Sequence, residues 1–256
     1  MGLVGPIALL LSVLLTAAPA LAAVAFDTVT SNQKSGSGTT LTQSHTVTAG
    51  GSDRAIYLLC GLDDNVITLT ATYAGQAMTE VLRQQSAAGG NSVWIFRRLN
   101  PATGPNNWVV TQSVADNMIC AGISLTGVDQ TTPETDSDSN CPTSSTTTVS
   151  LTLTTAAGEL LLDILGIRNT GHVITVGADQ TERMNLTEGT AYQAAASTQP
   201  GSFGGRDDVD LYDCRSALLR GHFGQGLLAA PPPYDAEEVS MRRVLRTADN
   251  RHRPCA

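Results

Sequence analysis

The sequence predicts an all-β protein: a two-sheet antiparallel β-sandwich of the jelly-roll type, followed by a poorly defined or short-helical C-terminal tail. Three observations lead to this expectation. Between residues 26 and 200 helical periodicity is almost absent, Thr, Val, Ser and Gly dominate, and turn residues recur about every ten residues. Short strands at such intervals bury their apolar residues by packing as two sheets.

Residues 1–22 have the pattern of a signal peptide. The run "PIALLLSVLLTAAPALA" contains an apolar core shorter than the roughly 20 residues that span a bilayer, and it ends in a small-x-small site before Ala23. A retained transmembrane helix is the alternative. We therefore expect a secreted or cell-surface protein, extracellular or periplasmic, with no membrane attachment after cleavage.

Ten strands are expected in the domain that we assign to residues 26–200. Segments rich in Gly, Asn and Pro separate them, such as "AGGSD", "NPATGPNN" and "TTAAG". In "NSVWIFRRL" and "ELLLDILGI" both faces are apolar, which predicts strands well inside a sheet. The expected strands are 39–48, 54–62, 66–73, 77–83, 92–99, 108–113, 118–125, 146–154, 159–168 and 173–178.

The composition changes at residue 201. Residues 201–256 hold 8 of the 14 arginines and a "PPP" run, and the pattern at 235–248 fits one short helix. Two interpretations stay open: a genuine atypical tail, or out-of-frame translation that replaces the closing strand of the sandwich.

Charge and cysteine content limit the possible partners and cofactors. The formal net charge is -8 and no basic stripe carries interleaved aromatics, so nucleic acid is not expected as a partner. The chain has five cysteines, which are Cys60, Cys120, Cys141, Cys214 and Cys255. Their pairing stays open, although Cys60 and Cys120, inside apolar strands, are interpreted as buried free thiols. No cysteine spacing suits zinc.

Four segments, in order, carry a resemblance to a known group. They are "TYAGQAMTEV", "VWIFRRLNPATGPNNWVVT", "CAGISLTGVDQTTP" and "AAGELLLDIL". Together, over residues 26–200, they resemble a widespread, mostly uncharacterised group of secreted bacterial jelly-roll-like β-sandwich domains. The resemblance implies this architecture, an extracellular setting and a role in surface adhesion or glycan contact. It supplies no catalytic residues.

Calcium is the one cofactor that the sequence suggests. The stretch "TDSDSN" matches the first ligand positions of a calcium loop, but the Gly and the bidentate Glu of that motif are missing. A looser site would need further carboxylates to fold back. The candidate ligands are Asp129, Glu134, Asp136, Asp138 and Asn140, and a solvated connection is the alternative.

Enzymatic patterns are weak. Glu159 and Asp163 share one face of a strand, but four residues separate them by about 13 Å, more than the two carboxyl groups of a glycosidase allow. Asp163 is expected to have a structural role, pairing with an arginine. The segment Gly122-Ile-Ser124 lacks the second Gly of a nucleophile elbow, and His45 has the pattern of an exposed strand residue. We therefore assign no catalytic residue.

Binding is the class of function that the residues leave open. Sugar rings stack on exposed aromatic side chains, and the candidates for such a platform are Trp108, Tyr57 and Tyr73, with core packing as the alternative for each Trp. We expect a non-enzymatic structural or adhesion module at the cell exterior that contacts a glycan or a surface protein. A carbohydrate-binding module is the alternative and a glycoside hydrolase a distant third. The oligomeric state stays open.

Overall fold

A computed structural model describes residues 23–64, 67–85, 90–140, 149–168, 172–190, 192–201, 206–211 and 216–221. Within these ranges the chain forms only strands, turns and irregular segments, so the predicted all-β class is confirmed. In this part of the chain there is no helix that is long and apolar enough to cross a membrane. The predicted signal peptide at 1–22 and the predicted helix at 235–248 lie outside the described residues.

Sixteen strands occur in the described ranges, and all their pairings are antiparallel. Their bounds are β1 Ala25–Lys34, β2 Thr40–Val47, β3 Ala55–Leu62, β4 Leu69–Tyr73, β5 Gln76–Ala77, β6 Thr79–Gln85, β7 Ser92–Leu99, β8 Gly104–Gln112, β9 Met118–Thr126, β10 Glu134–Asn140, β11 Val149–Thr154, β12 Leu160–Arg168, β13 Thr181–Glu188, β14 Tyr192–Pro200, β15 Arg206–Leu211 and β16 Ser216–Gly221.

The strands form four sheets instead of the two expected. Sheet A has the order β1-β9-β3-β7-β6, sheet B the order β2-β8-β4-β5, and sheet C the order β10-β16-β12-β14-β13. Sheet D consists of β11 and β15. Three apolar clusters join sheet B to A, A to C, and C to β11 of sheet D, so the layers stack in the order B, A, C, D.

Sheets A and C are each covered on both faces, which explains their sequences. In β3 alternate residues point to opposite clusters: Ile56 and Leu58 face sheet B, whereas Tyr57 and Leu59 face sheet C. All eight residues of β3 are buried. The apolar character of both faces, noted in β7 and β12 from the sequence, therefore reflects a sheet inside a stack.

A disulfide bond crosses sheet A and corrects the interpretation of its cysteines. Cys60 on β3 and Cys120 on β9 are direct partners in the register, with Cα atoms 4.2 Å apart, and their sulfurs are bonded. Both residues are fully buried on the face toward sheet B. The expectation of free thiols at these two positions is therefore wrong, because the pairing of β3 with β9 brings the two side chains together.

Some segments differ from the sequence prediction. Residues 172–177 are irregular where a strand was expected, although Ile174 is buried in the cluster between sheets C and D. The polar stretch Glu134–Asn140, expected as a solvated connection, is strand β10 and pairs with β16. The sheets also continue past residue 200, since β15 pairs with β11 and β16 lies between β10 and β12.

Candidate functional site

A row of polar side chains on β1 faces sheet B, and we call this row with its partners the β1 seam. On β1 it comprises Asp27, Thr28, Thr30, Asn32 and Lys34. Their partners are groups on β2, β8 and β9 and in the segment just before β9. Among the described strands, β1 lies at an edge of sheet A and pairs with β9 alone. Its even-numbered side chains therefore reach across to sheet B and tie the two layers by hydrogen bonds.

The imidazole of His45 lies at the centre of the seam and is 1% exposed. Its Nε2 is 3.3 Å from Thr28 Oγ1, and its Nδ1 is 3.0 Å from Thr30 Oγ1. Thr28 Oγ1 donates to the Thr46 carbonyl at 2.9 Å and so accepts from Nε2–H, while Nδ1 accepts from the Thr30 hydroxyl; a neutral imidazole is satisfied in this tautomer. Burial lowers the pKa of His45 to about 4, although the Asp27 carboxylate opposes that shift. His45 is therefore neutral at physiological pH.

Trp108 continues the seam into the core. It is fully buried, and its indole Nε1 donates to Thr30 Oγ1 at 3.1 Å. A Cβ atom placed on Gly122 of β9 would lie only 2.8 Å from atoms of this ring. Gly122 is therefore a packing residue that admits the indole between the sheets.

The other end of the seam is the Asp27 carboxylate with its hydroxyl and amide donors. Ser124 Oγ donates to Asp27 Oδ2 at 2.8 Å, while the amide and the hydroxyl of Thr48 contact the same carboxylate at 3.1 and 2.7 Å. Burial raises the pKa of Asp27, but these hydrogen bonds outweigh it and leave the pKa below its ordinary value. The ionised Asp27 carboxylate therefore links β1 to β9 through Ser124 and to the residue that follows β2, Thr48.

The seam contains a serine, a histidine and an aspartate, but their order is not that of a catalytic triad. Ser124 donates to Asp27, and the link from Ser124 to His45 passes through Thr28 Oγ1, which is 3.1 Å from Ser124 Oγ. A nucleophile needs its base within hydrogen-bonding distance and a path for substrate. Ser124 is fully buried. The geometry suits the joining of two sheets.

The aromatic platform expected from the sequence has to be corrected. Trp108, Tyr57 and Tyr73 are at most 1% exposed, so none of them offers a ring face to a sugar. The Tyr73 hydroxyl donates to the Ala102 carbonyl at 3.2 Å. Core packing, the alternative for Trp108, is what the structure has. Trp108 and Tyr73 lie on the face of sheet B that packs on sheet A, and Tyr57 points from sheet A toward sheet C.

The candidate calcium ligands are spread over β10 and the turn before it. Asp129 Oδ1 accepts the amides of Thr131 and Thr132 at 2.7 and 2.9 Å, which is a turn motif. The Glu134 carboxylate contacts Arg97 and accepts from Tyr57 Oη at 2.9 Å, so it is already bound by a cation and a donor.

The three remaining candidates, Asp136, Asp138 and Asn140, occupy alternate positions of β10 in place of a loop. Alternate strand residues lie about 6.7 Å apart, whereas calcium ligands must converge within about 2.5 Å of one ion. Within the described residues no group of three or more His, Cys, Asp or Glu side chains is arranged to hold a metal ion.

A second buried carboxyl lies in sheet C. Asp163 on β12 is fully buried and accepts from the Ser197 amide at 3.1 Å, from the Ser197 hydroxyl, and from Gln180 Nε2 at 3.1 Å. Burial raises its pKa to about 6, although the Ser197 hydrogen bonds oppose the shift. Its expected structural role fits these contacts, but its described partners are a serine and a glutamine instead of an arginine. Glu159 is separately engaged by the Ala156 amide at 2.5 Å.

Sequence reasoning missed most of the seam because it did not predict β1. The stretch "FDTVTSNQK" alternates weakly, since an edge strand that faces a polar layer shows no apolar stripe. One signal was available: a Thr or Asn at every second position from Thr28 to Asn32 is typical of a strand whose one side meets polar groups.

The fold and the seam define a class: an all-β antiparallel sandwich whose layers are joined by buried polar contacts and whose sheet A holds, among the described residues, one disulfide between neighbouring strands. No protein-family model, curated protein or solved structure matches the chain.

Proposed function

We propose that the chain is a non-enzymatic structural or adhesion module that works outside the cytoplasm of a bacterium. The observation that carries the proposal is the use of its reactive side chains. His45, Ser124 and Asp163 are buried and bonded to neighbouring strands within or between sheets. Groups used in this way stabilise a rigid scaffold and do not meet a substrate.

The disulfide supports the location. Cys60 and Cys120 are bonded in the interior, and such bonds persist mainly in oxidising compartments such as the periplasm and the cell exterior. The pattern of residues 1–22 predicts the same destination.

The test is a deletion of the gene in its bacterial host, followed by measurement of attachment to surfaces. We expect weaker attachment, restored by the wild-type gene and by Ser124→Ala, because a scaffold does not depend on a nucleophile. Proteinase digestion of intact cells should remove a tagged copy of the protein. Unchanged attachment in the deletion strain, or loss of function in a folded Ser124→Ala protein, would contradict the proposal.

Carbohydrate binding is a second candidate, favoured by the outer face of sheet B. None of the four strands of this sheet contains Asp, Glu, Lys or Arg, although the chain carries a net charge of -8. The register places Thr40, Thr111 and Thr70 in one exposed row across three strands. An uncharged face rich in hydroxyl groups suits a neutral polysaccharide, whose own hydroxyl groups pair with it.

A glycan array tests this candidate directly. Binding of neutral glycans by the wild-type protein should be lost in the double variant Thr42→Arg/Thr111→Arg, which places two charges on the outer face of sheet B. The control is Thr181→Arg, an exposed position on β13 of sheet C. Absence of binding by the wild-type protein would contradict carbohydrate binding and would leave the structural role as the proposal.

A further inference from the structure

Lys34, at the end of β1, is the only lysine of the chain and contacts a glutamine of another sheet. Its Nζ donates to Gln112 Oε1 at 3.0 Å and to the carbonyl of Asp116 at 2.7 Å. Gln112 is the last residue of β8 in sheet B, whereas Lys34 belongs to sheet A. A primary amine is therefore held against a carboxamide between two layers.

The carboxamide of Gln112 is enclosed and incompletely bonded. Gln112 is 3% exposed, and its Nε2 is buried without a hydrogen-bond partner among the described residues. A buried donor left without a partner costs about 1–3 kcal/mol. Native proteins seldom retain such a group unless it serves a purpose. The leaving atom of a transamidation reaction would be this nitrogen.

The surroundings favour proton transfer. Burial lowers the pKa of Lys34, opposed by the charges of Asp116 and Glu188. Burial also raises the pKa of Asp116, as do the neighbouring Asp63 and Asp64 carboxylates. The amine therefore loses its proton more readily than an exposed lysine does. Its contact with Asp116 is through the backbone carbonyl, while the Asp116 carboxylate accepts the Asn117 amide at 2.7 Å.

We propose that Lys34 and Gln112 form an intramolecular amide bond. The Nζ lone pair attacks Cδ of Gln112, a bond forms between Nζ and Cδ, and the bond from Cδ to Nε2 breaks. The protonated amine of Lys34 and the carboxamide thereby become a secondary amide and an ammonium ion, so atoms and charge balance with no added reactant. The proton that the attacking nitrogen loses is taken up by the leaving nitrogen.

The geometry allows the attack. Nζ is 3.0 Å from Oε1, and a carbonyl bond is about 1.23 Å long, so Nζ lies at most about 4.2 Å from Cδ. A near-attack arrangement needs roughly 3–3.5 Å, so Nζ has to move toward Cδ by at most about 1.2 Å. Departure of ammonia would also remove the unpartnered Nε2 from the interior.

The bond would fasten an edge strand. Within the described part of the chain β1 pairs with β9 alone. Residues 34 and 112 are 78 positions apart, so the link would join β1 of sheet A covalently to sheet B. Cys60 and Cys120 already join β3 to β9. This proposal does not depend on the proposed function, because the mass of the protein shows directly whether the bond has formed.

The experiment is intact-mass spectrometry of the full chain, purified folded from an oxidising compartment, with the disulfide reduced before measurement. We expect a mass lower by one ammonia than the sequence of the same species requires. Tryptic digestion should then yield one branched peptide that contains both Lys34 and Gln112. Lys34→Arg and Gln112→Leu should each have the full sequence mass.

A second measurement keeps the test independent of the variants. Chain collected under denaturing conditions immediately after synthesis should have the full mass, and refolding should convert it to the lighter form over time. The proposal is overturned if folded wild-type protein keeps the full sequence mass after prolonged incubation and its two peptides are recovered separately. The contact would then be an ordinary hydrogen bond.

Discussion

Two buried ionisable residues, His45 between sheets A and B and Asp163 in sheet C, show opposite solutions to the same problem. His45 contacts hydroxyl groups that donate or accept, so burial keeps it neutral with a pKa of about 4. Asp163 is surrounded by donors that suit a carboxylate, yet burial raises its pKa to about 6. The first region is therefore destabilised by acid and the second by base.

The difference predicts two compensating slopes of stability against pH. The unfolded chain binds more protons at His45 between pH 4 and 6.5, so this contribution to stability falls as the pH falls. The folded chain binds more protons at Asp163 between pH 3.8 and about 6, so this contribution falls as the pH rises. Each amounts to about 3 kcal/mol, and over the shared range they offset each other.

The largest expected effect comes from removing the covalent link on the His45 side of the stack. Cys60→Ala/Cys120→Ala should lower the free energy of unfolding by about 4 kcal/mol, because the closed segment spans 60 residues. Urea unfolding measures the change. Reductant should lower the midpoint of the wild-type protein and leave the double variant unchanged. Equal wild-type midpoints with and without reductant would contradict the prediction.

Replacing His45 should leave the pH dependence of stability that comes from Asp163. In His45→Gln the amide still donates and accepts, but the group no longer titrates. The difference in free energy of unfolding between wild type and variant should therefore change by about 3 kcal/mol between pH 4 and 6.5, in favour of the wild type at higher pH. Urea unfolding at a series of pH values measures it. The exposed His172→Gln is the control, and a pH-independent difference for His45→Gln would be evidence against a neutral imidazole.

Replacing the aspartate should expose the His45 slope. Asp163→Asn keeps the shape and one acceptor but does not titrate, so the variant should gain about 2–3 kcal/mol of stability relative to the wild type as the pH rises from 4 to 6. Because its amide meets donors, the variant also loses stability by an amount that does not change with pH. The same titration of urea midpoints measures this. Asp179→Asn, an exposed residue with φ 64°, is the matched control. A flat difference for Asp163→Asn would mean that Asp163 titrates in the folded protein as it does in the unfolded chain.

The smallest expected effect tests one hydroxyl of the β1 seam. Thr30→Val removes the acceptor of Trp108 Nε1 and a partner of His45 without a change in shape, and it should cost about 1–3 kcal/mol. Thr42→Val, on the exposed face of β2, should stay within about 0.5 kcal/mol. Thermal unfolding compares the two variants. Equal losses would show that the hydroxyl of Thr30 contributes little.

The central strands could be predicted from the sequence, whereas the polar edges could not. Ser92–Leu99 has the bounds expected, because an apolar run between turn residues leaves few alternatives. β10 reads as a solvated turn because its residues are polar, and only the backbone of β16, distant in sequence, makes it a strand. The ties of His45 depend likewise on β1, which shows no apolar stripe. Such contacts join residues that are distant in sequence, so the spacing of apolar residues along the chain does not indicate them.

The position of the disulfide also indicates the order in which the sheets assemble during folding. Cys60 and Cys120 meet only after β9 has found β3, and β1 in turn pairs with β9 across almost a hundred residues. Such distant pairings form slowly and leave apolar strands uncovered meanwhile. Because the sulfurs lie on the face that sheet B later covers, oxidation should precede closure of that layer. The rate at which the bond appears during oxidative refolding therefore reports the rate at which β3 and β9 pair in sheet A.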